Sequence, residues 1–217
     1  MTARSAPSEQ KARTDATVYV VEDDESIRRL LAWLMEQEGY RVRSFASAEA
    51  FLESFRGDGP ACLLLDLTLG GMDGLDLQAR LNDREPDLPI VFISATADVP
   101  RAVEAVKHGA VDFVVKPFDH KKVLDLARLC IKRSSESLMR RRREETTLAA
   151  IASLTPRERE VMDRVVAGKL NRVIAEELAV SIKTVEAHRA KIMEKLQINS
   201  VADLVRIAVG TGERSEL

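Results

Sequence analysis

The chain of 217 residues is 45% hydrophobic and 31% charged, with a formal net charge of -2 at pH 7, which excludes a disordered chain and predicts a soluble globular protein. No apolar run approaches the roughly 20 residues that a transmembrane helix requires, and the polar residues 1–15 lack the apolar core of a signal peptide, so we expect a cytoplasmic protein with a disordered N-terminus. Its two cysteines, Cys62 and Cys130, are too few for a disulfide framework and are expected to be reduced core residues.

Charge is distributed unevenly along the chain. Residues 16–119 hold 10 Lys and Arg against 19 Asp and Glu, a net charge of -9. Residues 120–154 hold 9 basic against 4 acidic residues, a net of +5, and residues 155–217 hold 11 against 10, a net of +1. Length alone favours one large or two modest domains, and the charge pattern indicates three zones.

The acidic zone alternates short apolar runs with helical patterns. The strand candidates are TVYVV, YRVRSF, ACLLLDL, LPIVFIS and VDFVVK. Between strands, apolar residues recur at i, i+3, i+4 and i+7, as from Ile27 to Leu34 and from Val99 to Val106, which is typical of amphipathic helices. Residues 16–119 are therefore predicted to form an α/β domain with a doubly wound, five-stranded parallel sheet and right-handed crossovers.

Polar residues follow four of these strands. The stretch VVEDDESIRRLL places four acids, residues 22–25, after the first strand, and Asp66, Ser94 and Lys116 end the third, fourth and fifth. Two carboxylates about 5 Å apart repel by roughly 3 kcal/mol at an effective dielectric near 20, so such crowding requires a cation, a proton or escape to solvent.

Ligands of such sheets bind beyond the carboxyl ends of the strands. A carboxylate nucleophile for phosphoryl transfer needs a hard cation such as Mg²⁺, and Lys116 and Ser94 could bind the phosphoryl oxygens. We therefore predict a magnesium and phosphoryl site. Taken alone, each residue also has an ordinary structural interpretation. The four acids could be a solvated turn, Asp66 and Ser94 could be caps of neighbouring elements, and Lys116 could be an exposed loop charge.

After Pro117, FDHKKVLDLARLCIKR predicts a helix, and an arginine-rich stretch without Gly or Pro continues it, so residues 120–153 form the last helix and a helical linker. The four arginines at 140–143 are interpreted as a phosphate-contacting patch, a partner for the acidic domain or a solvated linker. A capping box of Thr155 and Glu158, with Pro156 at the first helical position, starts a second domain, residues 154–217. Helices are predicted at 171–178, 181–196 and 200–209, which makes it a small all-α domain of four helices.

The first domain resembles the receiver domain of two-component response regulators, with its flavodoxin-like fold, across roughly residues 17–133. The resemblance rests on VVEDDESIRR, LLLDLTLGGMDG, VFISATAD and AVEAVKHGAVDFVVKPF. It implies that Asp66 accepts the phosphoryl group and that Lys116 clamps it, joined to Pro117 by a cis peptide bond. It also implies a magnesium site and a conformational switch. The implied Mg²⁺ ligands are Glu22, Asp23, Asp66 and the Thr68 carbonyl, and the implied switch residues are Ser94 and Phe113.

The sequence departs from the family pattern at one position, and a second position has two interpretations. Gly70 stands where the family usually has proline, so the loop after Asp66 is expected to be more mobile. Phe113 is either the aromatic ring that rotates with the Ser94 hydroxyl or core filler.

The stretch NRVIAEELAVSIKTVEAHRAKIMEKL fits a helix, a turn through Ala179 and Val180, and a second helix, which is helix-turn-helix spacing. On a helical wheel Val185, Ile192 and Leu196, with Ile182 near them, face the core. The opposite face would approach base edges in the major groove, and flanking basic residues would anchor phosphates. The candidate DNA-binding residues are Lys169, Arg172, Lys183, Thr184, Glu186, Ala187, Arg189, Ala190 and Lys191. The alternative is an amphipathic helix whose charges are merely solvated.

The second domain resembles the LuxR-type output domain over residues 154–209, and its pairing with a receiver resembles the NarL/FixJ subfamily, FixJ-like branch. The resemblance implies a transcriptional regulator that a sensor histidine kinase phosphorylates, and that then forms a homodimer and binds double-stranded promoter DNA. RNA polymerase is a further candidate partner, and no membrane is expected. The apolar residues of the last helix, Val201, Leu204, Val205 and Ala208, serve either the dimer or the core.

Two rival functions remain at this point. A phosphate-independent transcription factor would use the receiver as an interaction module. A Mg²⁺-dependent phosphatase with an aspartyl nucleophile would need a second acid beside Asp66, where the chain has Leu67 and Thr68 instead. We therefore expect no enzyme beyond Mg²⁺-dependent self-phosphorylation and autodephosphorylation.

Overall fold

The computed structural model describes residues 15–84, 87–95 and 98–212. The predicted disordered N-terminus lies outside these residues, apart from Asp15. The chain divides into two compact units, Met1–Met139 and Arg140–Leu217, each of which has most of its contacts within itself. None of the helices in the described part of the chain is both long and apolar enough to span a bilayer.

The first unit is built on the predicted five-stranded parallel sheet. The strands are β1 (Thr17–Val21), β2 (Arg41–Phe45), β3 (Ala61–Asp66), β4 (Ile90–Ser94) and β5 (Asp112–Val115). They are hydrogen-bonded in the order β2-β1-β3-β4-β5, and all four pairings are parallel. This arrangement brings the carboxyl ends of β1, β3, β4 and β5 to one edge, as the strand and helix pattern predicts.

Helices follow each strand and cover both faces of the sheet. They are α1 (Glu25–Gln37), α2 (Ala48–Ser54), α3 (Gly74–Arg84), α4 (Val99–Lys107) and α5 (His120–Ala152). Alternate side chains of β1 enter different core clusters: Val18 packs with residues of α1 and α5, and Tyr19 packs with residues of α2, α3 and α4. The sheet is therefore doubly wound, as predicted.

Strand β2 departs from the expectation of near-continuous apolar strands. It pairs with β1 alone, at the edge of the sheet, and Arg41, Arg43 and Ser44 are exposed. An edge strand has only one neighbour to bury it, and charged residues on such an edge discourage pairing with other chains.

Helix α5 is a single continuous helix of 33 residues. Its first part completes the core of the first unit through buried Val123, Ala127 and Cys130, and the Ser134 hydroxyl accepts a hydrogen bond from the Ala61 amide at 3.0 Å. Cys62 and Cys130 are both free and buried in one cluster, which confirms their prediction as reduced core residues.

The second unit contains the end of α5 and four further helices. These are α6 (Pro156–Val166), α7 (Asn171–Glu177), α8 (Ile182–Lys195) and α9 (Val201–Gly212). Residues of all four enter one core cluster, in which Val161, Ile174, Val185 and Leu204 are among the most buried. The arginines at 140–143 are exposed in the C-terminal half of α5.

The predicted capping box begins α6. The Thr155 hydroxyl accepts from the Glu158 amide at 3.2 Å, and the Glu158 carboxylate accepts from the Thr155 amide at 2.8 Å. Glu158 is buried, and it also accepts from the Lys195 ammonium at 2.7 Å, so it joins the start of α6 to the end of α8. Because this carboxylate accepts from Lys195 and from the Thr155 amide, its pKa falls to about 2.

Candidate functional site

Three of the four consecutive acids after β1 divide between two roles. Glu22 is buried and Asp23 is exposed at the edge of the sheet. The Asp24 carboxylate instead accepts from the Ser26 and Ile27 amides at 2.8 and 3.1 Å and so caps α1. The sequence analysis gave Asp24 no role of its own, although an Asp immediately before a helix is a typical capping signal.

Lys116 joins the carboxylates at the ends of β1 and β3. Its Nζ donates to Asp66 Oδ2 at 2.6 Å and to the two carboxylate oxygens of Glu22 at 2.9 and 2.7 Å. Asp66 is 6% exposed, Glu22 is 1% exposed and the Lys116 side chain is 11% exposed. The Lys116 amide also donates to the Ser94 carbonyl at 2.7 Å, and the peptide bond to Pro117 is cis, as predicted.

Burial and charge set the protonation of this cluster. The pKa of Glu22 rises from 4.5 to about 7, because burial disfavours its charged form and Asp66 lies beside it, while Lys116 opposes the shift. Burial lowers the pKa of Lys116, but its hydrogen bonds to Asp66 and Glu22 outweigh that effect and raise it overall. The ammonium therefore stays charged and compensates the neighbouring carboxylates.

The acidic cluster has the donor set of a magnesium site. Within the described residues, carboxylate oxygens of Glu22, Asp23 and Asp66 all lie within 4.8 Å of one another. Magnesium prefers such hard oxygen ligands together with water. The Thr68 amide donates to Asp66 Oδ1 at 2.9 Å, which orients the Asp66 carboxylate at the start of the following loop. The residues present therefore fit a bound Mg²⁺.

The loop between β3 and α3, residues 67–73, is constrained at its end. A Cβ atom on Gly74 would lie 2.5 Å from the Asp66 carbonyl oxygen, so this position requires glycine. The Asp73 carboxylate accepts from the Leu75 amide at 2.9 Å and forms an ion pair with Arg101 at 2.5 Å. The ion pair with Arg101 was missed by sequence reasoning, because only the fold brings α4 beside this loop.

Ser94 and Phe113 lie on the neighbouring strands β4 and β5. Ser94 is 1% exposed at the end of β4. Phe113 is half-buried, pairs in register with Phe92 and packs against the core cluster on the side of α2, α3 and α4. A core contact and a rotating switch are both compatible with this position, so the switch stays a prediction.

The second unit presents the predicted helix-turn-helix. Helix α7 ends before a turn in which Ala179 has a φ of 52°, and α8 begins after Ser181, whose hydroxyl accepts from the Thr184 amide at 3.0 Å. Val185 is buried, as the helical wheel predicts. Ile182, which the wheel places near the core face, is 45% exposed at the first residue of α8.

The candidate DNA-binding residues fall into two groups. The first group is exposed and consists of Arg172, Lys183, Glu186, Ala187, Ala190 and Lys191. The second group, Lys169, Thr184 and Arg189, makes contacts within the domain; Lys169 is also exposed. Lys169, however, is ion-paired with Glu177, and Arg189 is half-buried and donates to Asn171 Oδ1 at 2.6 Å. The Thr184 hydroxyl lies 2.8 Å from the Ser181 hydroxyl. Lys169, Arg189 and Thr184 therefore already make contacts within the domain.

Comparisons with known proteins match both units. Residues 18–128 match the family model for the response regulator receiver domain, and residues 152–208 match the model for bacterial regulatory proteins of the luxR family. Transcriptional regulatory protein FixJ of Bradyrhizobium diazoefficiens is 37% identical, over 92% of this chain and 97% of the relative. Transcriptional regulatory protein TdiR of Thauera aromatica is also 37% identical, over 92% of this chain and 88% of the relative.

The solved structures agree with these relatives. A low-resolution structure of the response regulator StyR matches with a TM-score of 0.82 and 37% identity, over 90% of this chain and 99% of that chain. The acidic edge that carries Asp66 and Lys116 lies in the first matched region, and the helix-turn-helix lies in the second. The chain therefore belongs to the NarL/FixJ-type response regulators and is a phosphorylation-dependent transcriptional regulator, with a receiver domain and a LuxR-type DNA-binding domain.

Proposed function

We propose that Asp66 accepts a phosphoryl group from a sensor histidine kinase in the presence of Mg²⁺, and that the phosphorylated chain forms a homodimer on promoter DNA. The observation that carries the proposal is the contact of the Lys116 ammonium with both Asp66 and Glu22 at the end of the sheet. A buried carboxylate beside a cation and two further acids is suited to nucleophilic attack on a phosphoryl group.

Glu22, Asp23, Asp66 and the Thr68 carbonyl would hold Mg²⁺ in this site. The bound ion supplies positive charge that neutralises the phosphoryl oxygens during transfer. An Asp66 carboxylate oxygen would form a bond to phosphorus while the bond from phosphorus to the histidine nitrogen of the kinase breaks, and the imidazole would leave with the kinase and take up a proton from solvent. Lys116 would exchange its ion pair with the free Asp66 carboxylate for one with the phosphoryl oxygens. Lys116 thus balances the negative charge of the site before and after transfer.

Ser94 and Phe113 would report the phosphoryl group to the surface of the receiver. The Ser94 hydroxyl would move toward the phosphoryl oxygens, and Phe113 would rotate into the space that it leaves. Helix α4 is suited to shift in response to phosphorylation, because it is anchored in the core mainly through Ala105. Its Val103 and Val106 side chains are 46% and 51% exposed. We propose that the rearranged α4 and β5 form the dimer surface, a population shift between two receiver states.

The DNA contact would be made by α8 in the major groove. Ala187 and Ala190 allow close approach to thymine methyl groups, Glu186 can accept from a cytosine amino group, and the surrounding basic residues would contact phosphates. Residues 155–217 carry a net charge of only +1, so one domain neutralises few phosphates. Dimerisation would double these contacts, which explains how phosphorylation raises DNA affinity.

The phosphorylation step is tested by comparing the wild type with Asp66→Asn. After incubation with acetyl phosphate and Mg²⁺, the wild type should gain a phosphoryl group by intact mass and shift from monomer to dimer in light scattering. Asp66→Asn should do neither, and Asp83→Asn, which changes an exposed carboxylate of α3, should behave as the wild type. Equal uptake by Asp66→Asn would overturn the assignment.

The DNA step is tested by a gel shift against genomic fragments with and without acetyl phosphate. Tighter binding after phosphorylation supports the proposal, and equal binding in both conditions would favour a phosphate-independent regulator. Continuous release of phosphate from an aryl phosphate would instead favour a phosphatase. Lys183→Ala should weaken binding to all DNA sequences and reduce the salt dependence of binding by about one phosphate contact. Ala187→Glu should abolish DNA binding.

A further inference from the structure

The loop after Asp66, residues 67–73, has two constrained ends and a glycine pair in its middle. At its start the Leu67 carbonyl accepts from the Gly74 amide at 3.1 Å and the Thr68 amide donates to Asp66. Gly70 and Gly71 follow, and glycine gives a backbone more conformational freedom than any other residue. A segment of this kind adopts many conformations unless another part of the fold holds it.

Glu49, in the first turn of α2, holds this glycine pair. Its Oε1 accepts from the Met72 amide at 2.9 Å. A Cβ atom on Gly71 would lie 3.1 Å from the same oxygen, so the carboxylate sits against the backbone of the loop. Hydrogen bonds from its own amide and from the Met72 amide lower the pKa of Glu49, because they favour the charged form.

The same loop runs beside the acids at the end of the sheet. It carries Thr68, whose carbonyl is a proposed Mg²⁺ ligand, and a Cβ atom on Gly70 would lie 3.9 Å from Asp23 Oδ2. A displacement of the glycine pair would therefore change the position of the Thr68 carbonyl and the surroundings of the Asp23 carboxylate. A loop that is already ordered also avoids the entropy loss of ordering on binding.

We propose that Glu49 is a positioning residue for the Asp66 site, which it serves by fixing the loop at Met72 and thereby the Thr68 carbonyl. The assignment rests on the proposed function, because Glu49 would not bind Mg²⁺ itself but would position a residue that does. The hydrogen bond from Met72 to Glu49 would also compensate for Gly70: an acceptor on α2 would restrict the loop at a place where the family usually has a proline to restrict the backbone.

Two substitutions separate positioning from simple charge. Glu49→Ala removes the acceptor, whereas Glu49→Gln keeps an oxygen that can accept from the Met72 amide and removes only the charge. Calorimetric titration with Mg²⁺ should show a Kd that is about two- to fivefold higher for Glu49→Ala, the range expected for one exposed hydrogen bond, and close to the wild type for Glu49→Gln. Glu53→Ala, an exposed acid one turn further along α2, is the matched control and should leave the Kd unchanged.

Hydrogen exchange in the metal-free protein gives a second readout. The Met72 amide should exchange faster in Glu49→Ala than in the wild type and in Glu49→Gln, and Glu53→Ala should not change it. Equal increases of the Mg²⁺ Kd in both Glu49 variants would overturn the proposal in favour of a charge effect. An unchanged Kd and unchanged exchange in Glu49→Ala would overturn it outright.

Failure of this proposal is distinguishable from failure of the proposed function. A wild type that binds no Mg²⁺ and gains no phosphoryl group contradicts the proposed function itself. A wild type that binds Mg²⁺ and is phosphorylated on Asp66, while Glu49→Ala matches it in Kd and in Met72 exchange, contradicts the role of Glu49 alone.

Discussion

Lys116→Met is the substitution that most directly tests the charge balance of the receiver site. It keeps the apolar stem of the side chain and removes the ammonium that contacts Asp66 at 2.6 Å and Glu22 at 2.7 Å. Removal of one partner from a buried ion pair leaves the other charge without compensation. In the absence of Mg²⁺ we therefore expect Lys116→Met to lower the free energy of unfolding.

The size of the loss follows from the geometry. The carboxylate oxygens of Glu22 and Asp66 lie within 4.8 Å, and two charges at that distance repel by about 3 kcal/mol at an effective dielectric near 20. Protonation of one carboxylate relieves the repulsion, and the pKa of Glu22 is already about 7 with the lysine present. Without Lys116 this pKa rises further, so the native state holds a proton that the unfolded state lacks.

A raised native pKa of a carboxyl group means that stability falls as the pH rises between the unfolded and the native value. Lys116→Met should therefore lose about 2–4 kcal/mol at about pH 8 and less at about pH 6. Urea unfolding in EDTA at both pH values measures this difference. Mg²⁺ binds only the native site and should restore more stability to Lys116→Met than to the wild type.

The matched control is Lys122→Met, which removes a half-exposed ammonium 3.3 Å from Asp112. A surface pair of this kind contributes at most about 1 kcal/mol, so little change is expected. If Lys116→Met were as stable as the wild type at about pH 8 in EDTA, or no less stable than Lys122→Met, the repulsion argument for the site would be refuted.

Three further predictions concern the metal site, the cap of α6 and the turn of the helix-turn-helix. Because Glu22 has a pKa of about 7 and must lose its proton to bind metal, the Mg²⁺ affinity should rise about tenfold per pH unit below that value and level off above it, by calorimetry. Glu158→Gln should lower the free energy of unfolding by about 1–3 kcal/mol at neutral pH. Because the pKa of Glu158 is lowered in the folded protein, the wild type should lose this part of its free energy of unfolding as the pH falls from 4.5 to about 2. Urea unfolding across that pH range should show a smaller loss of free energy in Glu158→Gln. Ala179→Gly should stabilise the chain by about 0.5 kcal/mol, since Ala179 has a φ of 52°, whereas Ala187→Gly within α8 should destabilise it by about 1 kcal/mol in thermal unfolding.

The fold was predictable because its signals are local. Apolar runs of strand length, helical spacing between them and the Thr155 capping box each depend on a few neighbouring residues, and the observed elements follow them closely. The exposed Ile182 shows the limit of such reasoning: a helical wheel gives the direction of a side chain but not whether another element covers it. Strand β2 differs for the same reason, since its place at the sheet edge depends on the whole sheet.

The candidate site was predictable in its members but not in its contacts. Strand ends converge in any parallel sheet of this order, so Asp66, Ser94 and Lys116 could be grouped from their positions alone. Sequence reasoning overlooked the local signal that makes Asp24 a helix cap, and it could not assign Glu49 to the Met72 amide or Lys169 to Glu177. Glu49 and Lys169 are polar side chains with several candidate partners along the chain.

The amino-acid sequence by itself determined the order of strands and helices, the two-part organisation and the residue types that end at one edge of the sheet. Only the tertiary structure decided which acids share Lys116, because that lysine is 94 residues from Glu22 and 50 from Asp66 along the chain. The physical reason is that periodicity acts over a few residues, whereas burial, ion pairing and pKa depend on every group that the fold brings within a few ångströms.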